Sequence, residues 1–74
     1  MELEVICYSG HKADERPVRF RLNQRDYTVE EVLDRWYGPD AAFYKVRAHD
    51  SNVYILRQQT SDGSWHLAAF RQSM

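Results

Sequence analysis

Apolar and polar residues alternate along most of this chain, in short runs rich in Val, Ile, Tyr, Phe and Trp. An alternation of period two predicts half-buried β-strands, with one set of positions facing a core and the other facing solvent. The core-facing sets are predicted to be Val18, Phe20 and Leu22; Tyr44, Val46 and Ala48; and Trp65, Leu67 and Ala69. The sets opposite them are Arg19 and Arg21; Phe43, Lys45 and Arg47; and His66, Ala68 and Phe70. Residues 53–56 are apolar at every position and fit a central strand.

Turn-forming residues separate these runs at intervals of about 8–12 residues, which is typical of an all-β sandwich or small barrel. The turns are predicted at Ser9-Gly10-His11, Asn23-Gln24-Arg25, Gly38-Pro39-Asp40, His49-Asp50-Ser51-Asn52 and Thr60-Ser61-Asp62-Gly63-Ser64, and Arg16-Pro17 marks the start of the second run. We therefore expect one small β domain over residues 1–74, an antiparallel meander of about five strands curled toward an SH3-like barrel. The first apolar run, residues 3–8, fits either a further strand or a segment packed across the barrel.

Residues 29–37 are compatible with two structures. Val29, Val32, Leu33 and Trp36 recur at helical spacing, Thr28 is a suitable N-cap, and Gly38-Pro39 is a suitable stop. These local signals favour a short helix at 29–37 and an α+β fold. The alternative is a long bent strand from Tyr27 with a bulge near Glu30-Glu31, because the extra residue of a bulge brings Val29 and Val32 to the same face.

Several short motifs give the chain a resemblance to known sequences. They are Cys7-Tyr8-Ser9-Gly10, Glu15-Arg16-Pro17, Tyr27-x-Val29, the run Val32-Leu33-Asp34-Arg35-Trp36-Tyr37-Gly38-Pro39-Asp40, Tyr44-x-Val46, Tyr54-x-Leu56 and Trp65-x-Leu67. Through them the chain resembles a group of short bacterial proteins known only as domains of unknown function. The resemblance covers nearly the whole chain and implies a β-meander, which favours the strand over residues 26–37. It implies no activity.

The charges are nearly balanced overall but are unevenly distributed. The net charge of −1 provides no field that attracts nucleic acid or an anionic membrane. Residues 1–15 carry −3, residues 16–25 carry +4 and residues 26–40 carry −4. Adjacent blocks of opposite sign in a hairpin protein predict cross-strand ion pairs.

The single cysteine and the N-terminus bear on the compartment. One cysteine, Cys7, allows no internal disulfide, and Met1-Glu2-Leu3-Glu4 does not resemble a signal peptide. No segment approaches the roughly 20 apolar residues that span a bilayer. We expect a cytoplasmic protein without a membrane partner, and the resemblance implies that it is bacterial.

The sequence offers no recognisable catalytic site, metal site or cofactor. Cys7 is predicted to be a small buried hydrophobe, since nothing in the sequence places His11, His49 or His66 beside it. The same four residues lack the close paired spacing of structural zinc ligands. The carboxylates of Glu30, Glu31 and Asp34 are expected to form solvated ion pairs with neighbouring Arg residues. The three glycines stand alone and form no phosphate-binding loop. We therefore expect a protein that is not an enzyme.

The candidate binding surface is the outer side of the predicted sheet. Its residues are Arg19, Arg21, Phe43, Lys45, Arg47, Ile55 and Arg57. Guanidinium groups beside an aromatic ring suit a nucleic acid or a protein interface. The alternative is a solvated face whose charges are neutralised by Glu30 and its neighbours.

A second candidate is the aromatic pair Trp36 and Tyr37 beside the rigid Gly38-Pro39 turn. Such a pair can form a shallow groove for an extended peptide. The alternative is that Trp36 belongs to the core and Gly38-Pro39 is only a turn.

Two functions follow from these features. The first is a binding or adaptor module for a protein partner, and the second is an accessory nucleic-acid binder that uses the Arg and aromatic face.

For a chain of 74 residues with one thin core we expect a monomer or a weak homodimer.

Overall fold

Six strands form the part of the chain that the computed structural model describes, residues 2–8 and 16–72. They are β1 (Glu2–Tyr8), β2 (Arg16–Leu22), β3 (Arg25–Tyr37), β4 (Ala41–Ala48), β5 (Val53–Gln59) and β6 (Trp65–Arg71). Each pairs antiparallel with the next, and β1 also pairs with β6, which closes the sheet into a barrel. The predicted all-β, small SH3-like barrel is confirmed. It has six strands rather than five, because the first apolar run is a strand that closes the ring between β2 and β6.

The alternating apolar positions meet inside the barrel. Phe20, Tyr44, Val46, Tyr54 and Leu56 are all buried, as the alternation predicts. The ring of Phe20 stacks on that of Tyr27 with centroids 5.0 Å apart, and its edge meets Tyr54 at the same distance. A thin core is therefore filled mainly by large rings, each of which removes about 150–250 Å² from water.

β3 is a bent strand with two bulges, and the helix at 29–37 is wrong. Val29 lies opposite Ala48 and Val32 lies opposite Val46, although the two valines are three residues apart. Glu30 is an extra residue between them, and Leu33 is a second extra residue before Asp34. Each insertion reverses the alternation once. The apolar spacing that imitates a helix is thus the spacing of a bulged strand.

Two further bulges correct the predicted faces of β2 and β6. Val18 is an extra residue in β2, so Pro17 occupies the buried position while Val18 is only half-buried. Ala68 is an extra residue in β6, so Ala69 lies beside Ile55 and Phe70 lies opposite Tyr54. The assignment of Ala69 to the core was wrong because the bulge exchanges the two faces. Phe70 shares the side of Tyr54 by register, with ring centroids 5.1 Å apart, but it remains 51% exposed.

The described turns lie at or next to the predicted positions, and β2 begins at Arg16, where the sequence marks the start of the second run. Asn23 and Gln24 both have positive φ, 52° and 64°, which defines a two-residue type I′ hairpin turn between β2 and β3. The amide of Gly38 donates to the carbonyl of Ala41 at 2.8 Å and closes the turn before β4. The predicted turn at Ser9-Gly10-His11 lies outside the described residues.

Truncation of the largest fully buried aliphatic side chain should strongly reduce the stability of the domain. Leu56 is fully buried, and we expect Leu56→Ala to lower the free energy of unfolding by about 2–5 kcal/mol. The total free energy of unfolding of a domain of this size is only roughly 4–11 kcal/mol. Urea unfolding followed by circular dichroism measures the loss. Ile6→Ala is the control, because Ile6 is 58% exposed. Its truncation should lower the free energy of unfolding by less than about 0.5 kcal/mol. Equal losses for the two variants would contradict the assignment of Leu56 to the core.

Replacement of the second turn residue should stabilise the hairpin. Gln24 has a φ of 64°, a backbone conformation that costs a non-glycine residue about 1–2 kcal/mol. Part of the gain is offset by the greater freedom of glycine in the unfolded chain, so we expect Gln24→Gly to raise the free energy of unfolding by about 0.5–1 kcal/mol. The same denaturant titration measures the change in the free energy of unfolding. Gln59→Gly, within β5, is the control and should lower the free energy of unfolding.

Candidate functional site

The outer sides of β4, β5 and β6 form one continuous surface, which we call the basic face. Cross-strand pairing arranges it in three rows: Arg47, Val53 and Arg71; Lys45, Ile55 and Ala69; and Phe43, Arg57 and His66. The predicted outward residues of β4 and β5 are therefore brought together. Val53, Ala69 and Arg71 were missed, Ala69 and Arg71 because only the bulge at Ala68 turns them outward.

Positive charge is concentrated on the basic face. β4, β5 and β6 contain four Lys or Arg residues and no Asp or Glu. Arg47 is neutralised from β3, since its Nη2 lies 2.9 Å from Glu31 and its Nε lies 3.9 Å from Glu30. The predicted ion pairing of Glu30 and Glu31 is confirmed. Over residues 2–8 and 16–72, Lys45, Arg57 and Arg71 make no ion pair, so three cations stay available.

A shallow groove of about 220 Å³ crosses the basic face. It is lined by Lys45, Val53, Ile55, Ala69, Phe70 and Arg71. The small side chain of Ala69 leaves the space beside Ile55. Val53, Ile55 and Ala69 form an aliphatic floor, and Phe70 adds an aromatic ring to the lining. Cations lie on both sides of the groove, Lys45 on β4 and Arg71 on β6.

Trp36 borders the basic face and is not a core residue. Its ring stacks on that of Phe43, with centroids 5.4 Å apart and planes 6° from parallel, and it remains 38% exposed. Tyr37 pairs with Ala42, on the other side of the sheet, and is 70% exposed. Because neighbouring residues of a strand point to opposite faces, the two rings do not line one groove.

Arg19 and Arg21 lie on a different side of the barrel. Both are exposed on β2, and Nε of Arg21 is 3.5 Å from the carboxylate of Asp26. β2 is three strands away from β5 in a ring of six, so their outward side chains point in opposite directions. The structure thus divides the predicted Arg and aromatic face in two, because a meander that is continuous in sequence closes on itself in space.

The other candidate chemistry is not assembled in the described part of the chain. No group of three or more His, Cys, Asp or Glu residues is placed to hold a metal ion there. Cys7 packs against the core, and Nδ1 of His49 accepts a hydrogen bond from the amide of Thr28 at 3.1 Å. His66 lies on the basic face, with Nε2 3.3 Å from the Ser64 hydroxyl. His11 lies outside the described residues.

The β4–β5 hairpin is held by a carboxylate network centred on Asp50. Its carboxylate accepts hydrogen bonds from the Tyr54 hydroxyl at 2.6 Å and from the amide and side chain of Asn52, both at 3.1 Å. Burial opposes ionisation of Asp50, but the hydrogen bonds from Tyr54 and Asn52 and the nearby His49 outweigh it and lower its pKa. Burial, together with the hydrogen bond to Asp50, raises the pKa of Tyr54, so the phenol keeps its proton.

Loss of the Asp50 charge should destabilise the hairpin in a pH-dependent way. We expect Asp50→Asn to lower the free energy of unfolding by about 1 kcal/mol at neutral pH, because hydrogen bonds to an exposed carboxylate are partly screened. The pKa of Asp50 is lower in the folded than in the unfolded state. Its contribution is therefore complete above the unfolded pKa of about 3.9 and is lost as the pH falls through the folded pKa.

Urea unfolding of the wild type and Asp50→Asn over a range of pH measures this contribution. The difference between the two proteins should shrink below about pH 4. Asp40→Asn is the matched control, because the Asp40 carboxylate accepts no hydrogen bond from the described residues. A difference for Asp50→Asn that is independent of pH would contradict the ionised network.

Comparison of the chain with protein-family models, with curated proteins and with solved structures gives no match. The resemblance to short bacterial domains therefore stays a prediction. No helix in the described part of the chain is long and apolar enough to cross a membrane.

Proposed function

We propose that this domain is a non-enzymatic binding module that docks a protein partner on the basic face. The observation that carries the proposal is the combination of an aliphatic groove over Val53 and Ile55 with three cations that have no ion-pair partner in the described chain. The cytoplasmic bacterial setting favoured by the sequence is part of the same proposal.

The composition of the basic face supports a protein ligand. Protein interfaces combine an apolar centre with a polar rim, and they are enriched in Arg and aromatic residues. Here Val53, Ile55 and Ala69 occupy the centre, with Arg57 and the Trp36–Phe43 stack at one end. A partner that covers the aliphatic centre removes apolar surface from water, while the cations fix its orientation.

A nucleic-acid ligand has weaker support. Three available cations correspond to about three phosphate contacts, against six to ten in proteins whose binding depends strongly on salt. The Trp36 ring covers one face of Phe43, and Ile55 at the centre of the basic face offers no ring for base stacking.

A matched pair of variants tests the proposed function. Wild type, Ile55→Glu and Ile6→Glu are each immobilised and used to capture proteins from a nuclease-treated lysate of the organism that encodes the chain. Ile6 is an exposed isoleucine on β1, outside the basic face. We expect a discrete partner to be retained by the wild type and by Ile6→Glu, and to be lost with Ile55→Glu.

The same experiment has two outcomes that would contradict the proposal. A partner that is lost equally with both variants would show that the basic face is not the docking surface. Binding that disappears after nuclease treatment, together with an affinity for oligonucleotides that falls steeply with salt, would favour the nucleic-acid function. Circular dichroism of each variant verifies that the fold is retained.

A further inference from the structure

Resting on the proposed function, we infer which chemistry the partner presents: a short extended segment with one large apolar side chain and Asp or Glu residues on both sides of it. The apolar side chain enters the groove over Ile55, and the carboxylates meet Lys45, Arg57 and Arg71. Three features of the basic face lead to this occupant, namely its size, its charge and the arrangement of its cations.

The size of the face favours a segment over a globular surface. Three strands about 4.8 Å apart and about 20 Å long cover roughly 300 Å², whereas a standard interface buries about 800 Å² on each partner. The groove of about 220 Å³ is larger than the roughly 150 Å³ cavity known to hold benzene. It therefore accommodates one aromatic or branched aliphatic side chain.

The sign of the charge favours an acidic segment. β4, β5 and β6 carry no carboxylate. On neighbouring β3, Glu30 and Glu31 pair with Arg47, and Asp34 lies across from Lys45 without forming an ion pair with it. Lys45, Arg57 and Arg71 are thus left to an external anion. A basic segment would place like charges on an uncompensated cationic surface, which is unfavourable at this range.

The positions of the cations match the repeat of an extended chain. Lys45 lies directly across from Ile55, Arg57 is two residues along β5, and Arg71 is two residues beyond Ala69, the other neighbour of Ile55. In sheet geometry these positions lie about 5–8 Å from Ile55. An extended segment advances about 3.3 Å per residue, so carboxylates one or two positions from the apolar anchor reach the cations on either side.

Defined peptides test this inference. The probe is a 12-residue peptide with a central Phe, two Glu residues on each side of it, and Ser elsewhere. One matched peptide replaces the Glu residues with Lys, and another replaces the Phe with Ser. Titration of ¹⁵N-labelled protein gives the affinity and the amides that shift. We expect the Glu and Phe peptide to shift amides of Val53–Arg57 and the facing parts of β4 and β6, and both matched peptides to bind at least about tenfold more weakly.

Charge reversal on the protein provides the second arm. A partly exposed ion pair contributes at most about 1 kcal/mol, which is about a fivefold change in affinity. We expect Lys45→Glu and Arg71→Glu each to weaken the Glu and Phe peptide by about threefold to fivefold, and the double variant by about tenfold or more. Arg19→Glu, an equal charge change on the exposed side of β2, should leave the affinity unchanged.

Several results would overturn the inference. The first is that the Glu and Phe peptide does not bind, or that Arg19→Glu weakens its affinity as much as Lys45→Glu does. The second is that the Lys peptide or a single-stranded oligonucleotide binds more tightly than the Glu and Phe peptide. The third is that the protein self-associates with increasing concentration and that Ile55→Glu abolishes this association. If Ile55→Glu still removes a captured protein partner while no acidic peptide binds, the docking function stands and only the assigned partner chemistry fails.

Discussion

Closure of the ring depends on β3, which has to serve two parts of the barrel at once. Its first residues, Arg25–Thr28, pair with β2, and residues from Val29 onward pair with β4. A regular strand of 13 residues would be too flat to turn between these partners. The extra residues Glu30 and Leu33 bend and twist it, and they keep Val29 and Val32 facing the same core. Without this bend the aromatic interior around Phe20 and Tyr54 would remain open to water.

The same bulges control electrostatics on the outside. By inserting a residue before Glu31, the first bulge places two adjacent carboxylates beside Arg47, where both lie within 4 Å of its guanidinium. The remaining cations of the basic face form no ion pair with the described residues, although Lys45 lies across from Asp34 of β3. The uneven charge of the surface is therefore a product of strand geometry, since the net charge of the chain is close to zero.

Much of the fold was predictable because period-two alternation carries direct information about burial. Positions such as Phe20, Tyr44 and Val46 are buried as expected. Errors arose at Val18, which is the inserted residue of one bulge, and at Ala69, which follows another, because one inserted residue exchanges inside and outside without leaving a clear mark in the sequence. The grouping of surface residues was less predictable. Alternation indicates on which side of its strand Arg19 lies. Long-range pairing decides which strands are neighbours around a closed barrel, and alternation carries no information about that pairing.

The two indoles of this chain lie in sharply different surroundings. Trp65 is buried against Tyr44, whereas Trp36 lies on Phe43 at the rim of the surface formed by β4–β6 and remains partly open to solvent. The fluorescence of Trp65 therefore depends on whether the core is intact. The fluorescence of Trp36 responds to a ligand that covers the surface formed by β4–β6. The molecule thus carries separate internal reporters of folding and of occupancy, and replacing either tryptophan with Phe isolates the signal of the other without adding a dye.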